Sequence, residues 1–144
     1  MTSHAEVRAG NPAQIEWRWL VMGRVFEVAL NGDLSAEQMR AFLELLREVT
    51  HQTPYPIFIL GNYRYLGHVK GLPQDFFQLL RAVRWRQVRW LVTCHERHSR
   101  FSSSLAACVF GINYHFAKDR EAGLQFLLEK DPSLPFNPEN LWMI

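Results

Sequence analysis

The stretch "IFILGNYRYLGHVKG", Ile57–Gly71, contains both a predicted core strand and a candidate site. Four consecutive apolar residues directly after Pro56 predict a buried strand. The chain then runs into a segment with two tyrosines, an arginine, a histidine and a lysine. The stretch therefore predicts a core strand that ends in a polar, aromatic loop. Such a loop is a catalytic site, a binding site or merely the solvated edge of a sheet.

The segments before this strand predict a hairpin and a helix. Two apolar runs, Trp17–Met22 and Val25–Leu30, flank a Gly-Arg pair, and their short spacing favours two paired strands. Ser35 and Gln38 have the spacing of a capping box, in which a hydroxyl and an amide each bond a free backbone N–H. Apolar residues then recur at helical spacing as far as Thr50.

The segments after the strand continue this alternation. Pro73 suits the first turn of a second helix, where its missing N–H is not needed, and Asp119 is placed to cap a last one. The predicted segments are helix 73–84, strand Val88–Cys94, helix 99–111, strand 113–117 and helix Arg120–Lys130. The predicted buried face of the second helix consists of Phe76, Phe77, Leu79, Leu80 and Val83. The order β-β-α-β-α-β-α-β-α predicts an α/β fold with a mixed five-stranded sheet and four helices.

Length and composition indicate one globular domain. A chain of 144 residues that is 48% hydrophobic can bury its own core without disulfides or metals. We expect a flexible lead-in at 1–14, the domain at 15–131 and a Pro-containing tail at 132–144. The tail ends in Leu-Trp-Met-Ile, which predicts packing onto the domain or onto a second subunit.

Charge, cysteines and hydropathy exclude several classes. A net charge of +2 falls short of the basic surface typical of nucleic-acid-binding domains. Cys94 and Cys108 lie in apolar surroundings and predict buried thiols rather than a disulfide framework. No signal-peptide pattern precedes the domain, and no apolar run approaches the ~20 residues that span a bilayer. We expect a cytoplasmic protein without a cofactor.

Two stretches resemble the STAS family, and in particular its SpoIIAA-like branch, over about residues 16–130. "VALNGDLSAEQMRAFLELL", 28–46, is similar to the family's strand, Gly-acid turn and first helix, and "YHFAKDREAGLQFLLEK", 114–130, to its last strand and helix. The resemblance implies a single SpoIIAA/STAS-like domain that docks partners or ligands without chemistry. Where the family's anti-sigma-factor antagonists carry a phosphorylated serine, this chain has Val69 or Lys70. The resemblance therefore implies a module without the phosphoserine switch.

The loops after the third and fourth predicted strands form the candidate site. In open α/β sheets, ligands bind outside the carboxyl ends of the strands, so both loops should meet at one edge. The candidate ligand-binding residues are Tyr63, Arg64, Tyr65, His68, Lys70, His95, Arg97, His98, Arg100 and Ser102. This basic, hydroxyl-rich set beside a helix N-terminus suits an anionic small molecule, a phosphorylated headgroup or an acidic partner surface. The alternative is that the loops are only solvated.

The motifs give little support to catalysis, metal binding or nucleic-acid binding. Cys94 and His95 are adjacent on a strand and point to opposite faces, whereas a nucleophile and its base need hydrogen-bond reach. His95, Glu96 and His98 match no metal-ligand spacing, so we expect no metal. The Arg-rich and Trp-rich run Arg81–Trp90 suits single-stranded nucleic acid in composition. Its predicted place across a helix end and a strand disfavours that role.

Three functional hypotheses follow in order of preference. The first is a non-enzymatic regulatory or protein-interaction module, with a protein partner or a homodimer. The second is a small-molecule or lipid-headgroup carrier whose anion contacts are Arg64, Lys70, Arg97 and Arg100. The third is an enzyme centred on His68, Cys94 and His95. An exposed apolar patch, a closed apolar pocket with a basic rim, and a perturbed histidine or thiol in a cleft would respectively distinguish them.

Overall fold

The structure, a computed structural model, describes residues 14–94 and 111–136. The strands in these ranges are β1 (Gln14–Val21), β2 (Val25–Leu34), β3 (Ile57–Asn62), β4 (Leu66–Val69), β5 (Val88–Cys94) and β6 (Tyr114–Ala117). The helices in the same ranges are α1 (Ala36–Gln52), α2 (Phe76–Ala82) and α3 (Arg120–Lys130), and a 3-10 turn spans Trp85–Gln87. The helix predicted at 99–111 lies outside the described residues but for Gly111.

The strands form one mixed sheet in the order β1-β2-β3-β5-β6. The hairpin β1–β2 is antiparallel, and each of the other neighbours in this path is parallel. Parallel neighbours need crossover connections, and α1 and α2 supply them between β2 and β3 and between β3 and β5. The predicted α/β fold with a mixed sheet behind an initial hairpin is confirmed.

The strand β4 corrects the prediction of five strands. It forms inside the segment that the sequence predicted as a loop, and it pairs in parallel with the end of β2. The N–H of Gly32 donates to the carbonyl of Tyr65 at 2.8 Å, and the N–H of Lys70 to that of Leu34 at 2.7 Å. Residues 31–33, predicted to end β2, therefore continue it, because their backbone groups find partners in the following connection.

The first helix forms as its sequence predicts. The Ser35 hydroxyl accepts from the N–H of Gln38 at 3.2 Å, and the Gln38 amide oxygen accepts from the N–H of Ser35 at 2.9 Å. This capping box satisfies two backbone donors that a helix start leaves without an intrahelical partner. The face toward the sheet carries Met39, Phe42, Leu43, Leu46 and Val49, each of them buried.

The second helix differs from its prediction at both its start and its face. It begins at Phe76 and not at Pro73. Pro73 lies before the helix, and its carbonyl accepts from the N–H of Phe76 at 3.0 Å. Phe77, predicted to be buried, is 62% exposed. This helix has only seven residues. Phe76, Leu79 and Leu80 face the core, and Phe77 lies to one side of them.

Two apolar layers cover opposite faces of the sheet. Alternate residues of β3 divide between them, with Ile57 and Ile59 facing α1 and α2, and Phe58 and Leu60 facing α3. Beyond α3, Leu134 and Phe136 are buried in the second layer, so the start of the predicted tail packs on the domain. The remainder of the tail, 137–144, lies outside the described residues.

An ion cluster around Asp131 connects the end of α3 to the sheet. Its carboxylate accepts hydrogen bonds from the Ser133 hydroxyl at 2.6 Å, from Arg24 at 2.8 Å and from Arg89 at 3.2 Å. These contacts, with Ser133 making the largest contribution, lower the pKa of Asp131 to about 2. The cluster ties the β1–β2 turn and β5 to the last turn of α3.

We expect Asp131 to stabilise the fold above about pH 4 and to lose this contribution as the pH falls toward 2. The pKa of Asp131 is lower in the folded chain, so the unfolded chain takes up the proton first and acid favours unfolding. The stability difference between wild type and Asp131→Asn, from urea unfolding, should shrink between pH 5 and pH 2.5. Glu129→Gln, which removes an exposed carboxylate, is the control. A difference that stays constant with pH would contradict this account.

Candidate functional site

Five of the ten predicted site residues lie at one place in the structure. Tyr63, Arg64, Tyr65, His68 and Lys70 occupy the β3–β4 connection, β4 and the residue after it, beyond the carboxyl end of β3. The other five lie outside the described residues: His95, Arg97, His98, Arg100 and Ser102. The prediction that both loops meet at one edge therefore stays a prediction.

Tyr63 points inward and belongs to the core rather than to the rim. It is 6% exposed, its N–H donates to the carbonyl of Cys94 at 2.8 Å, and its ring lies edge-on to that of Phe42 at 6.4 Å. Gly61 makes room for this position, since a Cβ there would lie 2.7 Å from the tyrosine ring. Glycine at 61 thus allows the tyrosine to fold back over β3.

The two basic side chains Arg64 and Lys70 contact different neighbours. The Arg64 guanidinium lies 5.3 Å from the centre of the exposed Tyr65 ring, a cation–π geometry. The Lys70 ammonium lies 3.4 Å from the Asp33 carboxylate, which also accepts from the N–H of His68 at 2.8 Å. These contacts, that of His68 first, lower the pKa of Asp33. Asp33 therefore offsets part of the positive charge that the sequence suggested.

An apolar pocket of about 70 Å³ lies between α1, α2 and the sheet, with β4 along one side. Its lining consists of Leu30, Leu34, Met39, Phe42, Leu43, Leu46, Ile59, Tyr63, Leu66, Val69, Phe76, Leu80, Trp85 and Leu91. No charged side chain is among them. The pocket thus offers dispersion contacts and no charged partner for a ligand.

Exposed apolar side chains lie close in sequence to residues that line this pocket. Tyr65, Val69, Leu72 and Phe77 are 40% to 66% exposed, and all belong to the segment that forms one side of the pocket. Val69 itself lines the pocket, and the Phe77 ring lies edge-on to the ring of Phe76 at 5.3 Å. We call these four side chains the apolar rim.

A bidentate ion pair holds α2 against α1. The two η nitrogens of Arg40 donate to the two carboxylate oxygens of Asp75 at 2.9 and 2.5 Å, and this pairing lowers the pKa of Asp75. Fork-to-fork geometry fixes direction as well as distance. The pair therefore positions the start of α2, and with it Phe76 and the rim residue Phe77.

The described residues give little support to chemistry at this edge. Cys94 is buried, its Sγ lies 3.7 Å from the carbonyl of Gly61, and burial raises its pKa to about 12. The thiol is therefore protonated at neutral pH and is not an activated nucleophile. Within 14–94 and 111–136, no group of three or more His, Cys, Asp or Glu side chains is placed to hold a metal ion.

A buried charged cluster on the opposite face went unnoticed in the sequence. Glu27, 5% exposed, accepts from Arg120 at 2.6 and 3.1 Å and from Arg18 at 3.3 Å. These residues line a polar cavity of about 310 Å³ with Glu16 and Asn62 among its other walls. The available signal was one glutamate within the otherwise apolar run "VFEVAL". The cluster joins α3 to β1 and β2.

The tryptophans of the basic run are engaged within the domain. Trp85 is buried and donates its indole N–H to the carbonyl of Leu80 at 2.8 Å. Trp90 lies edge-on to Phe126 at 4.8 Å, and the Lys130 ammonium lies 4.8 Å from its ring centre. Both rings therefore serve packing in the described fold.

The comparisons with known proteins concern the fold. Among the helices in the described parts of the chain, none is both long and apolar enough to cross a membrane. No protein-family model and no curated protein matches the sequence. A solved structure of an uncharacterised protein of the DUF3478 family, from Shewanella loihica PV-4, has a SpoIIAA-like fold and matches with a TM-score of 0.57. The match covers 83% of this chain and 98% of that one at 15% identity. This chain has a SpoIIAA/STAS-like fold.

Proposed function

We propose that this chain is a non-enzymatic protein-interaction module of STAS-like type, which binds a partner protein over the pocket between α1 and α2. The observation that carries the proposal is the small apolar pocket beside the apolar rim. In this arrangement the partner inserts one apolar side chain into the pocket, while the rim packs against the surface around it. Buried apolar anchors surrounded by water-excluding contacts are the usual energetic centre of protein interfaces.

The size of the pocket favours a side chain over a free ligand. A cavity of about 150 Å³ takes benzene, and sites for drug-sized molecules hold about 300–1,000 Å³. A pocket of about 70 Å³ admits the end of a leucine or methionine side chain, and is too small for a lipid chain. This argues against the carrier hypothesis at this position.

The rim is the second support for the proposal. Large apolar side chains that are 40% to 66% exposed stay in water unless a partner covers them. Exposed apolar groups clustered beside a pocket are a frequent mark of protein-binding surfaces. Because Val69 belongs to both the rim and the pocket lining, the two features form one surface.

The polar residues of the segment suggest the chemistry of the partner. Arg64 lies over Tyr65, and Lys70, although paired with Asp33, keeps its side chain 64% exposed, so positive groups border the rim. We expect a partner segment with a large apolar residue next to an aspartate or a glutamate. By its resemblance to the family, this chain has Val69 or Lys70 where the anti-sigma-factor antagonists carry a phosphorylated serine, so the module would act without a phosphoserine switch.

Peptide selection on the full chain tests this proposal. A displayed library of random 12-residue peptides should yield binders that share one large apolar residue beside an acidic one. Val69→Trp fills the mouth of the pocket at an exposed position and should weaken those peptides at least tenfold in a fluorescence anisotropy titration. Met22→Trp is the matched control, because Met22 is exposed in the β1–β2 turn, and it should change the affinity less than twofold.

Two results would overturn the proposal. Peptides that bind Val69→Trp as tightly as the wild type would place the interaction elsewhere. In native mass spectrometry, a co-purifying small mass that denaturation releases, and that Val69→Trp lacks, would instead identify a carrier.

A further inference from the structure

The outer edge of β1 is a second surface whose binding partner can be inferred. Among the strands of the described residues, β1 pairs with β2 alone, so its other edge has no strand neighbour there. An unpaired edge presents a row of N–H and C=O groups that template pairing with another strand. We propose that two copies of this chain pair through β1 in antiparallel orientation, giving one continuous sheet across a two-fold axis. The inference goes beyond the proposed function and uses different residues.

The strand β1 carries only part of the usual protection of an edge strand. Proteins blunt their edges with short strands, prolines, lysines and other charged side chains, and β-bulges. The strand β1 has an irregularity in its pairing with β2, between Trp19 and Val21, and two charged side chains, Glu16 and Arg18. Its eight residues, "QIEWRWLV", include neither proline nor lysine, and its two tryptophans are only partly buried. Tryptophan is enriched in the buried centres of interfaces, because it brings a large apolar area and a polar N–H.

The charges of β1 select one register for this pairing. A two-fold axis perpendicular to the sheet keeps the same face of both strands on the same side. Residues that lie opposite each other therefore share a face, and one residue of β1 lies at the axis, opposite its own copy. With the axis at Glu16 or at Arg18, two like charges would oppose each other, which is destabilising. With the axis at Trp17, Glu16 of each copy lies opposite Arg18 of the other. Of these three registers, only the one centred on Trp17 places opposite charges across from each other.

The same register continues the apolar core across the axis. Trp17 would face Trp17 of the second copy, and Ile15 would face Trp19. Both tryptophans already pack on Phe26, at ring distances of 5.5 and 5.0 Å. Arg18 also remains compatible with its contact to Glu27, because a guanidinium has five N–H donors and can serve two carboxylates.

A charge-swap experiment tests the pairing and its register together. Sedimentation of the full chain from 1 to 100 µM should show a dimer for the wild type. Glu16→Arg and Arg18→Glu each place like charges opposite one another, and each should raise the dimer dissociation constant at least tenfold. An equimolar mixture of the two variants restores both opposite-charge pairs, so it should recover dimers within threefold of the wild-type affinity. Glu44→Arg, an exposed change on α1, should leave the dimer unaltered.

A cross-linking measurement keeps the test decisive if Arg18→Glu, which also loses its contact to Glu27, fails to fold. Residue 17 should lie opposite itself, within the 4.4–6.8 Å Cα separation that a disulfide requires. Trp17→Cys in a Cys108→Ser background should therefore form a dimer disulfide under copper–phenanthroline oxidation. Ile15→Cys, whose two copies would lie about 13 Å apart along the strands at ~3.3 Å per residue, should not. A monomeric wild type at 100 µM, or equal cross-linking at both positions, would overturn the proposal.

Discussion

Glu27→Gln should lower the free energy of unfolding by about 3 kcal/mol. The carboxylate is buried and binds Arg120 at 2.6 and 3.1 Å and Arg18 at 3.3 Å. Removing one member of a buried ion pair leaves the other charges uncompensated, which costs about 3–5 kcal/mol. The lower end applies here, because both arginines retain some exposure and can turn toward water. Urea unfolding followed by circular dichroism at pH 7 measures the change.

Two further variants separate the effect of this buried charge from the effect of losing any carboxylate. Glu48→Gln, which removes an exposed carboxylate from α1, should cost less than about 0.5 kcal/mol. Replacing both partners with apolar side chains of similar volume, Glu27→Met with Arg120→Met, should recover most of the loss, because such replacements are often neutral or stabilising. A loss below about 1 kcal/mol for Glu27→Gln would show that the cluster contributes little to stability.

Local sequence signals are sufficient for those elements whose determinants are local. The α1 capping box uses two side chains three residues apart, and Asp119 caps α3 by accepting from the N–H of Ala122 at 2.8 Å. The strand β5 was predicted with its observed bounds because an apolar run stands between a helix end and a polar loop. In each case, the interaction that fixes the element lies within its own few residues.

The strand β4 and the pocket depend on contacts between distant residues. Leu66–Val69 has no strand pattern of its own, and it forms because β2 offers unpaired backbone groups to it. Lys70 looked like a free anion contact, but its partner Asp33 lies 37 positions earlier in the sequence. A sequence pattern does not reveal such a pairing before the topology is known.

The role of the candidate site stays a prediction, but the directions of two side chains in and beside it differ from what the sequence suggested. The cations and hydroxyls of the β3–β4 connection suggested that Tyr63 belongs to a polar binding rim. In the structure Tyr63 points inward and lines an apolar pocket. Phe77 shows the complementary error, since a residue assigned to the core is exposed beside that pocket. Both errors concern the direction of a side chain, which the packing of α1, α2 and the sheet decides together.

Gly123 sets the distance between α3 and the sheet. Replacing this glycine with a larger residue should have the second large effect on stability. A Cβ at this position would lie 3.0 Å from Cδ1 of Leu60 and 3.3 Å from Cγ1 of Val92, inside the usual 3.5–4.0 Å carbon contact. Gly123→Ala gains about 1 kcal/mol of helix propensity and loses a similar amount in the tight contact, so its net change should stay within about 1 kcal/mol. Gly123→Leu should cost about 3 kcal/mol, because its additional atoms overpack the layer between α3 and β3.

A double-variant cycle locates the origin of that loss. Leu60→Ala alone removes a buried side chain and should cost about 2–5 kcal/mol, whereas the Gly123→Leu side chain would occupy the space that Leu60→Ala leaves. The double variant should therefore be more stable than the sum of the single losses by at least about 1 kcal/mol, measured by urea unfolding. Gln125→Leu, exposed on the same helix, is the control and should change stability by less than about 0.5 kcal/mol. Additive losses at 60 and 123 would mean that α3 does not approach β3 as closely as the glycine allows.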